Sequence, residues 1–333
     1  MRKILFATLP GGHFWSYGPS WTNIDLTNVL GGLSDLGYLV SVVEITDLLN
    51  QSLESNDIVI YTSSDNPELR QYVKDVMYLV SRNCRIVPSY EGLLAHENKG
   101  FQQIYRAMHG FGDLEGAYGV GPELLEAPMP YVFKRISGAG SASVELVRNS
   151  NDKRRVVRKH FSRSARRLLI DTYRSFTLPR EDFDRYKQRK AAFAASVRQE
   201  FVPGLECDYK VLVFGDRFFV LRRGVRKNDF RASGSGRFTF VAPPEEVLDF
   251  AFKVHECLDS PYSSLDIVVS NNGRPSLVEY QCVSFGPYTV VGSPGYYFKE
   301  GHGWVYREGR TTLEGAISHG IRHFIVHLNG TGA

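Results

Sequence analysis

Between residues 1 and about 95, short apolar runs alternate with stretches of helical period. The runs 3–9, 39–43, 57–61 and 84–88 read as buried strands, and 26–36 and 67–80 as helices. That alternation predicts an open α/β sheet. From Glu97 a helix carries Lys99, Ile104, Tyr105 and Met108, and strands follow at 131–134 and 144–147 around a Gly/Ser loop. Helical, basic residues fill 148–198, with Pro179 as a break. Strands then come in quick succession at 199–202, 208–214, 217–223 and 238–241. Pro243-Pro244 opens a helix at 245–258, with Val247, Phe250, Ala251, Val254 and Leu258 on one face. A last helix, 313–328, ends at Asn329-Gly330 and packs internally or across a homodimer. The pattern divides the chain into 1–96, 97–198 and 199–333.

Two hairpins can be registered from their turns. Asn272-Gly273 between the strands 265–269 and 276–281 is a strong two-residue turn signal, and centring the hairpin there puts Asp266 directly opposite Glu279. Facing side chains lie about 4.5–5.5 Å apart at Cβ, where like charges destabilise, and a divalent metal is a natural compensation. Gln281 faces the same way. A solvent-exposed hairpin with two unrelated acids is the plain alternative. With Gly215-Asp216 at the second turn, Asp208 faces Arg223, and Lys210, Phe219 and Leu221 share that face. A surface salt bridge worth ~0–1 kcal/mol is the plain reading there. Arg226, Lys227, Asp229, Arg231 and Ser233 follow in a Gly-punctuated connection, so the strand end opens onto a charged ligand.

Composition narrows the function. The 333 residues are 43% hydrophobic and 13% aromatic, as in a compact protein, and no stretch has the ~18 uninterrupted apolar residues of a membrane span. The run after Met1-Arg2-Lys3 stops at Pro10-Gly11-Gly12, so it reads as a first strand rather than a signal peptide. Cys84, Cys207, Cys257 and Cys282 form no CxxC pair, so neither a zinc site nor a disulfide framework is indicated, and a reducing cytoplasm is expected. The net charge is +4, but residues 153–190 hold 14 Lys/Arg against four Asp/Glu and leave the remainder acidic. Such a block is more often a solvated helix face than a nucleic-acid grip. There is no GxGxxG, which argues against a dinucleotide site.

The ordered residues from Lys99 to the C-terminus resemble the ATP-grasp ligases, and within them the ribosomal-protein glutamate ligase branch. The most specific stretch is Gln199-Glu200-Phe201-Val202, then Asp208-Tyr209-Lys210, Arg223 and Asp229-Phe230-Arg231-Ala232-Ser233. The resemblance implies an ATP-grasp fold, α+β in its ligase part, behind an N-terminal Rossmann-like α/β domain. It implies that Lys99 and Lys134 contact ATP phosphates or adenine, and that Ser137, Gly138, Gly140 and Ser141 belong to a lid over the phosphates. Glu200, Phe201 and Val202 would meet the adenine, and Asp208 or Glu206 the ribose. Arg223 would steady the transferred phosphate, with Lys210 beside it where the branch usually has arginine, and Arg231 would line the substrate end. Asp266, Glu279 and Gln281 would hold two Mg2+ ions. Gln281 replaces an asparagine of the family, so either its strand retreats or the second ion binds through water.

The implied reaction is activation of a carboxylate as an acyl phosphate and its capture by an amine, with ADP and phosphate released. Basic residues near the cleft favour an amino acid, a peptide or a sugar acid as the carboxylate. The alternatives are an ATP-grasp kinase acting on a hydroxyl and a non-catalytic ATP-binding interaction protein. A glycosyltransferase leaves the 199–281 block unexplained.

Overall fold

The computed structural model describes residues 2–15, 24–136, 138, 144–161, 165–189, 194–227 and 229–330. They form two compact units: one of residues 1–98, 111–113 and 204–333, the other of 99–110 and 114–203.

The first unit begins with β1 (Lys3–Thr8), α1 (Leu26–Gly31), β2 (Leu39–Glu44), β3 (Ile58–Tyr61), α2 (Pro67–Val80), β4 (Arg85–Val87) and α3 (Tyr90–Ala95). The four strands make a parallel sheet in the order β2-β1-β3-β4, as the alternation predicts. In α2 the Asn66 side chain caps the first turn, Pro67 sits where no N–H is needed, and Val73, Val76, Met77 and Val80 are buried at helical spacing. Helix α1 is shorter than expected and stops at Gly31. A side chain on Gly32 would run into Ser318 of the last helix, so this glycine lets the two helices approach.

The second unit holds α4 (Lys99–His109), β5 (Gly116–Val120), β6 (Tyr131–Arg135), β7 (Val144–Val147), α5 (Ser150–Val156), α6 (Ala165–Thr177), α7 (Arg180–Arg189) and β8 (Ala195–Glu200). Its antiparallel sheet runs β5-β8-β6-β7 around Leu125, Tyr131, Phe133, Val147, Val156 and Phe161. The strand expected at 199–202 lies earlier, at Ala195–Glu200, and pairs with β5 and β6; Pro203-Gly204 ends the segment. Pro179 does separate α6 from α7. In α4 the apolar Ile104 and Met108 are exposed, while Lys99, Gln102, Gln103 and Arg106 are buried.

The first unit resumes with β9 (Cys207–Phe214), β10 (Arg217–Gly224), β11 (Phe238–Thr239), α8 (Glu245–Cys257), β12 (Tyr262–Val269), β13 (Pro275–Gln281), α9 (Tyr288–Gly292), β14 (Gly295–Glu300), β15 (Gly303–Glu308) and α10 (Leu313–Gly330). A seven-stranded antiparallel sheet runs β13-β12-β9-β10-β14-β15, with β11 beside β10 at its Arg223 end. Helix α10 buries Leu313, Ala316, Ile317, Gly320, Ile321 and Ile325 in one core with Leu212, Phe214, Phe219 and Tyr262. It thus packs internally.

Both hairpin registers put the expected residues opposite each other, one of them for a different reason. Arg223 pairs with Asp208 about the Gly215-Asp216 turn. Asp266 pairs with Glu279, but the turn is not the two residues Asn272-Gly273. The loop spans 270–274, closed by Ser270 N–H to Arg274 O at 3.1 Å and Gly273 N–H to Ser270 O at 2.9 Å, which sets the strand ends one residue out of the expected register. A bulge leaves Val278 unmatched, since Ile267 pairs with Leu277, and this restores Asp266 opposite Glu279.

Candidate active site

One face of the large sheet changes character along its strands. Near the β9–β10 turn, Leu212, Phe214, Phe219 and Tyr262 face α10. Two or more residues further on, the same face carries Asp208 and Lys210 on β9, Arg223 on β10, and Ser264 and Asp266 on β12, with Glu279 opposite Asp266 on β13. The apolar end fixes the strands, and the charged end is held by them.

Arg223 is the hub of the charged end. Its Nε and Nη2 donate to the two Asp208 oxygens at 2.7 Å each, and Nη2 also reaches Asp266 Oδ2 at 2.8 Å. Lys210 Nζ donates to Asp266 Oδ1 at 3.2 Å and to Ser264 Oγ at 2.9 Å. Burial opposes the charge on Asp266, but Arg223 and then Lys210 outweigh it and hold the carboxyl well below its usual range. At Asp208 burial prevails over the Arg223 bond and pushes the carboxyl up. Burial also opposes the Arg223 charge, yet Asp266 and Asp208 hold the guanidinium firmly protonated. The charge of Asp266 is therefore already answered by two protein cations rather than standing alone against Glu279.

The expected metal ligands meet different surroundings. Asp266 and Glu279 offer carboxylate oxygens, the donors Mg2+ takes, and one or two carboxylates with substrate phosphates commonly suffice to hold it. Gln281 Oε1 lies 3.1 Å from His96 Nδ1. His96 is buried, and burial pushes its imidazole down to about 4, so it stays neutral at pH 7. Among the described residues no group of three or more His, Cys, Asp or Glu is gathered as a metal site. The side chains fit one ion on Asp266 and Glu279 more directly than two.

Arg231 is held in its own loop by Asp229, at 2.6 Å, and lies over the Phe230 ring. Glu206 is exposed, and its carbonyl accepts the Val225 N–H at 2.9 Å. In the second unit, Lys99 opens α4, is buried, and donates from Nζ to Gly138 O at 2.8 Å. Lys134 is buried on β6. Glu200 ends β8, and its Oε2 accepts the Glu115 N–H at 3.2 Å; Phe201 and Val202 follow, half-buried. Ser137, Gly140 and Ser141 lie outside the described residues. The sequence reading missed Ser264 and His96. Ser264 had a signal, sitting two residues before Asp266 on the same face; His96, 185 residues from Gln281, had none.

No protein-family model matches the chain, and no curated protein matches it. Solved structures do. The RimK-domain ATP-grasp protein of Sphaerobacter thermophilus is 12% identical with a TM-score of 0.51, over 97% of this chain and 99% of that one. The D-cycloserine synthetase DcsG is 14% identical with a TM-score of 0.55, over 97% and 99%. The chain has the ATP-grasp fold. The macrocyclase MdnC of Microcystis aeruginosa, solved with its precursor peptide MdnA, is also similar to this chain, at 12% identity and a TM-score of 0.53 over 98% and 99%. Among the described residues no helix is long and apolar enough to cross a membrane.

Proposed function

We propose that this ATP-grasp chain is an ADP-forming ligase that activates a carboxylate as an acyl phosphate and joins it to an amine. The observation that carries the reading is the four-strand row of Asp208, Arg223, Lys210, Asp266 and Glu279, anchored on a closely packed sheet. Phosphoryl transfer to a carboxylate leaves little covalent work to the protein and depends on positioning and charge neutralisation. Arg223 is fixed by two carboxylates, so its guanidinium is oriented before any substrate arrives; with Lys210 it would steady the transferred phosphoryl group. Asp266 and Glu279 would hold Mg2+, which when bound would neutralise the nucleotide's phosphates. Gln281, its amide engaged by His96, would meet a second ion only after that bond is released, or through water. Lys99, Lys134 and the 137–141 loop would hold the phosphates, Glu200, Phe201 and Val202 the adenine, Glu206 the ribose, and Arg231 the substrate end. Asp208 is bonded to Arg223, which leaves the exposed Glu206 the more accessible of the two candidates for the ribose. We keep 1–96, 97–198 and 199–333 as the functional divisions, in a cytoplasmic protein.

The test is an ADP-release screen with Mg2+ and ATP, pairing carboxylates against amines, with the carboxylate labelled with 18O. The ligase reading predicts release that requires both partners and passes one 18O atom to inorganic phosphate. Phosphorylation of a hydroxyl with no amine requirement would move the assignment to a kinase, and tight ATP binding without ADP formation to an interaction protein.

A further inference from the structure

Beside the charged row lies a pair of aromatic rings that the chemistry above does not use. Phe238 on β11 pairs directly with Arg223, so its ring stands on the same face as the guanidinium. Its centroid is 5.5 Å from that of Tyr288, the first residue of α9, seven positions after Gln281. Both are open to solvent, at 38% and 44% exposure. Behind them Phe240 stacks on Tyr288 at 6.4 Å and closes on Gly292, while Val290 of the same short helix is buried in the core. The lip is therefore rigidly mounted although its outer rings are bare. Scattered exposed aromatics are ordinary, but two in mutual contact beside a buried ion cluster are a contiguous apolar surface at a reactive centre.

We infer that Phe238 and Tyr288 form a specificity lip that receives an aromatic or branched apolar side chain on the substrate, next to the group that reacts. The inference rests on the ligase reading. Continuity with the Arg223 face commits the occupant to the substrate: two rings offer far less area than the ~800 Å² per partner of a stable protein interface. They do suit one side chain, whose placement on two rings would be felt mainly in binding and hence in KM.

The experiment uses the full chain and the L-phenylalanine, L-leucine, L-alanine and L-glutamate members of three series, paired with one another so that every mixture holds a carboxylate and an amine: free amino acids, N-acetyl amino acids as carboxylates and amino acid amides as amines. Two quantities are read: ADP release with Mg2+ and ATP, and the shift of the thermal midpoint. Wild-type protein is expected to favour the phenylalanine or leucine member over alanine by about tenfold or more in kcat/KM, mostly through KM. Phe238→Ala and Tyr288→Ala should each bring that ratio to within about twofold, and Tyr288→Phe should retain it. ADP release with no side-chain preference, or a preference that survives both truncations, overturns the lip and leaves the ligase reading standing. Side-chain-selective thermal shifts without ADP release, lost in the truncations, support the lip and remove the ligase reading. Truncations that change only the oligomeric state, or no response to any member, overturn the inference.

Discussion

Arg223 reaches over strand β9 to hold Asp266, with Nη2 2.8 Å from Oδ2, while the same guanidinium grips Asp208 with two bonds of 2.7 Å. Three charges on three strands are thus satisfied together. Removing the cation leaves two carboxylates to face each other in a largely buried place, a change that commonly costs about 3–5 kcal/mol. Arg223→Met is expected to lose about that much stability in urea unfolding, and Asp208→Asn in the same chain should recover part of it. Equal stability of Arg223→Met and wild type would contradict the hub.

Lys210 answers the same carboxylate from a more open position, at 21% side-chain exposure. Its ion pair is therefore worth less to folding, on the order of 1 kcal/mol. Lys210→Met should reduce ATP-dependent turnover by about 100-fold or more while shifting the urea midpoint little. A large stability loss with normal turnover would reverse the assignment.

How far the sequence discloses this site is clearest at Asp266. Alternation and turn chemistry give the partner Glu279, but the register survives only because the Val278 bulge cancels a loop longer than Asn-Gly alone suggests. The compensating cation was not legible as Arg223, because a hairpin argument sees neighbouring strands and Arg223 is one strand further away. The Asp208–Arg223 pair was legible, since both lie in one tight hairpin. The bond of His96 to Gln281 depends on the tertiary fold and leaves no local mark. Strands β14 and β15 went unread although they form a hairpin about Gly301, and so did β5, whose two glycines weaken its strand pattern.

Gly320 measures how closely α10 lies on the sheet. A Cβ there would come within 2.6 Å of the Pro261 carbonyl and 3.2 Å of the Gly215 nitrogen. Alanine favours a helix interior by about 1 kcal/mol over glycine, whereas forcing a methyl group into a tight contact costs about 1–3 kcal/mol. Gly320→Ala is expected to lower the thermal midpoint. A rise would mean that α10 stands further from the sheet.

His255 supplies a pH signature. It is buried, with Nδ1 2.9 Å from Ser263 Oγ, and burial, with His323 secondarily, pushes it down to about 3. The unfolded chain takes up the proton near pH 6.5, so this contribution to stability is complete above that value and declines as pH falls toward 3. The slope approaches about 1.4 kcal/mol per pH unit within that window. Urea unfolding at pH 7.5 and 5 should show a smaller drop for His255→Asn than for wild type. Parallel drops would remove His255 as the cause.

On the proposed ligase reading, the charged sheet face takes a magnesium-bound nucleotide. Calorimetric binding of a non-hydrolysable ATP analogue with and without Mg2+, for wild type and Glu279→Gln, tests this. The prediction is at least about tenfold tighter binding with Mg2+ in wild type, with that dependence lost in a variant that unfolds at the wild-type temperature. An equal Mg2+ dependence in both proteins, or no nucleotide binding by wild type, would contradict it.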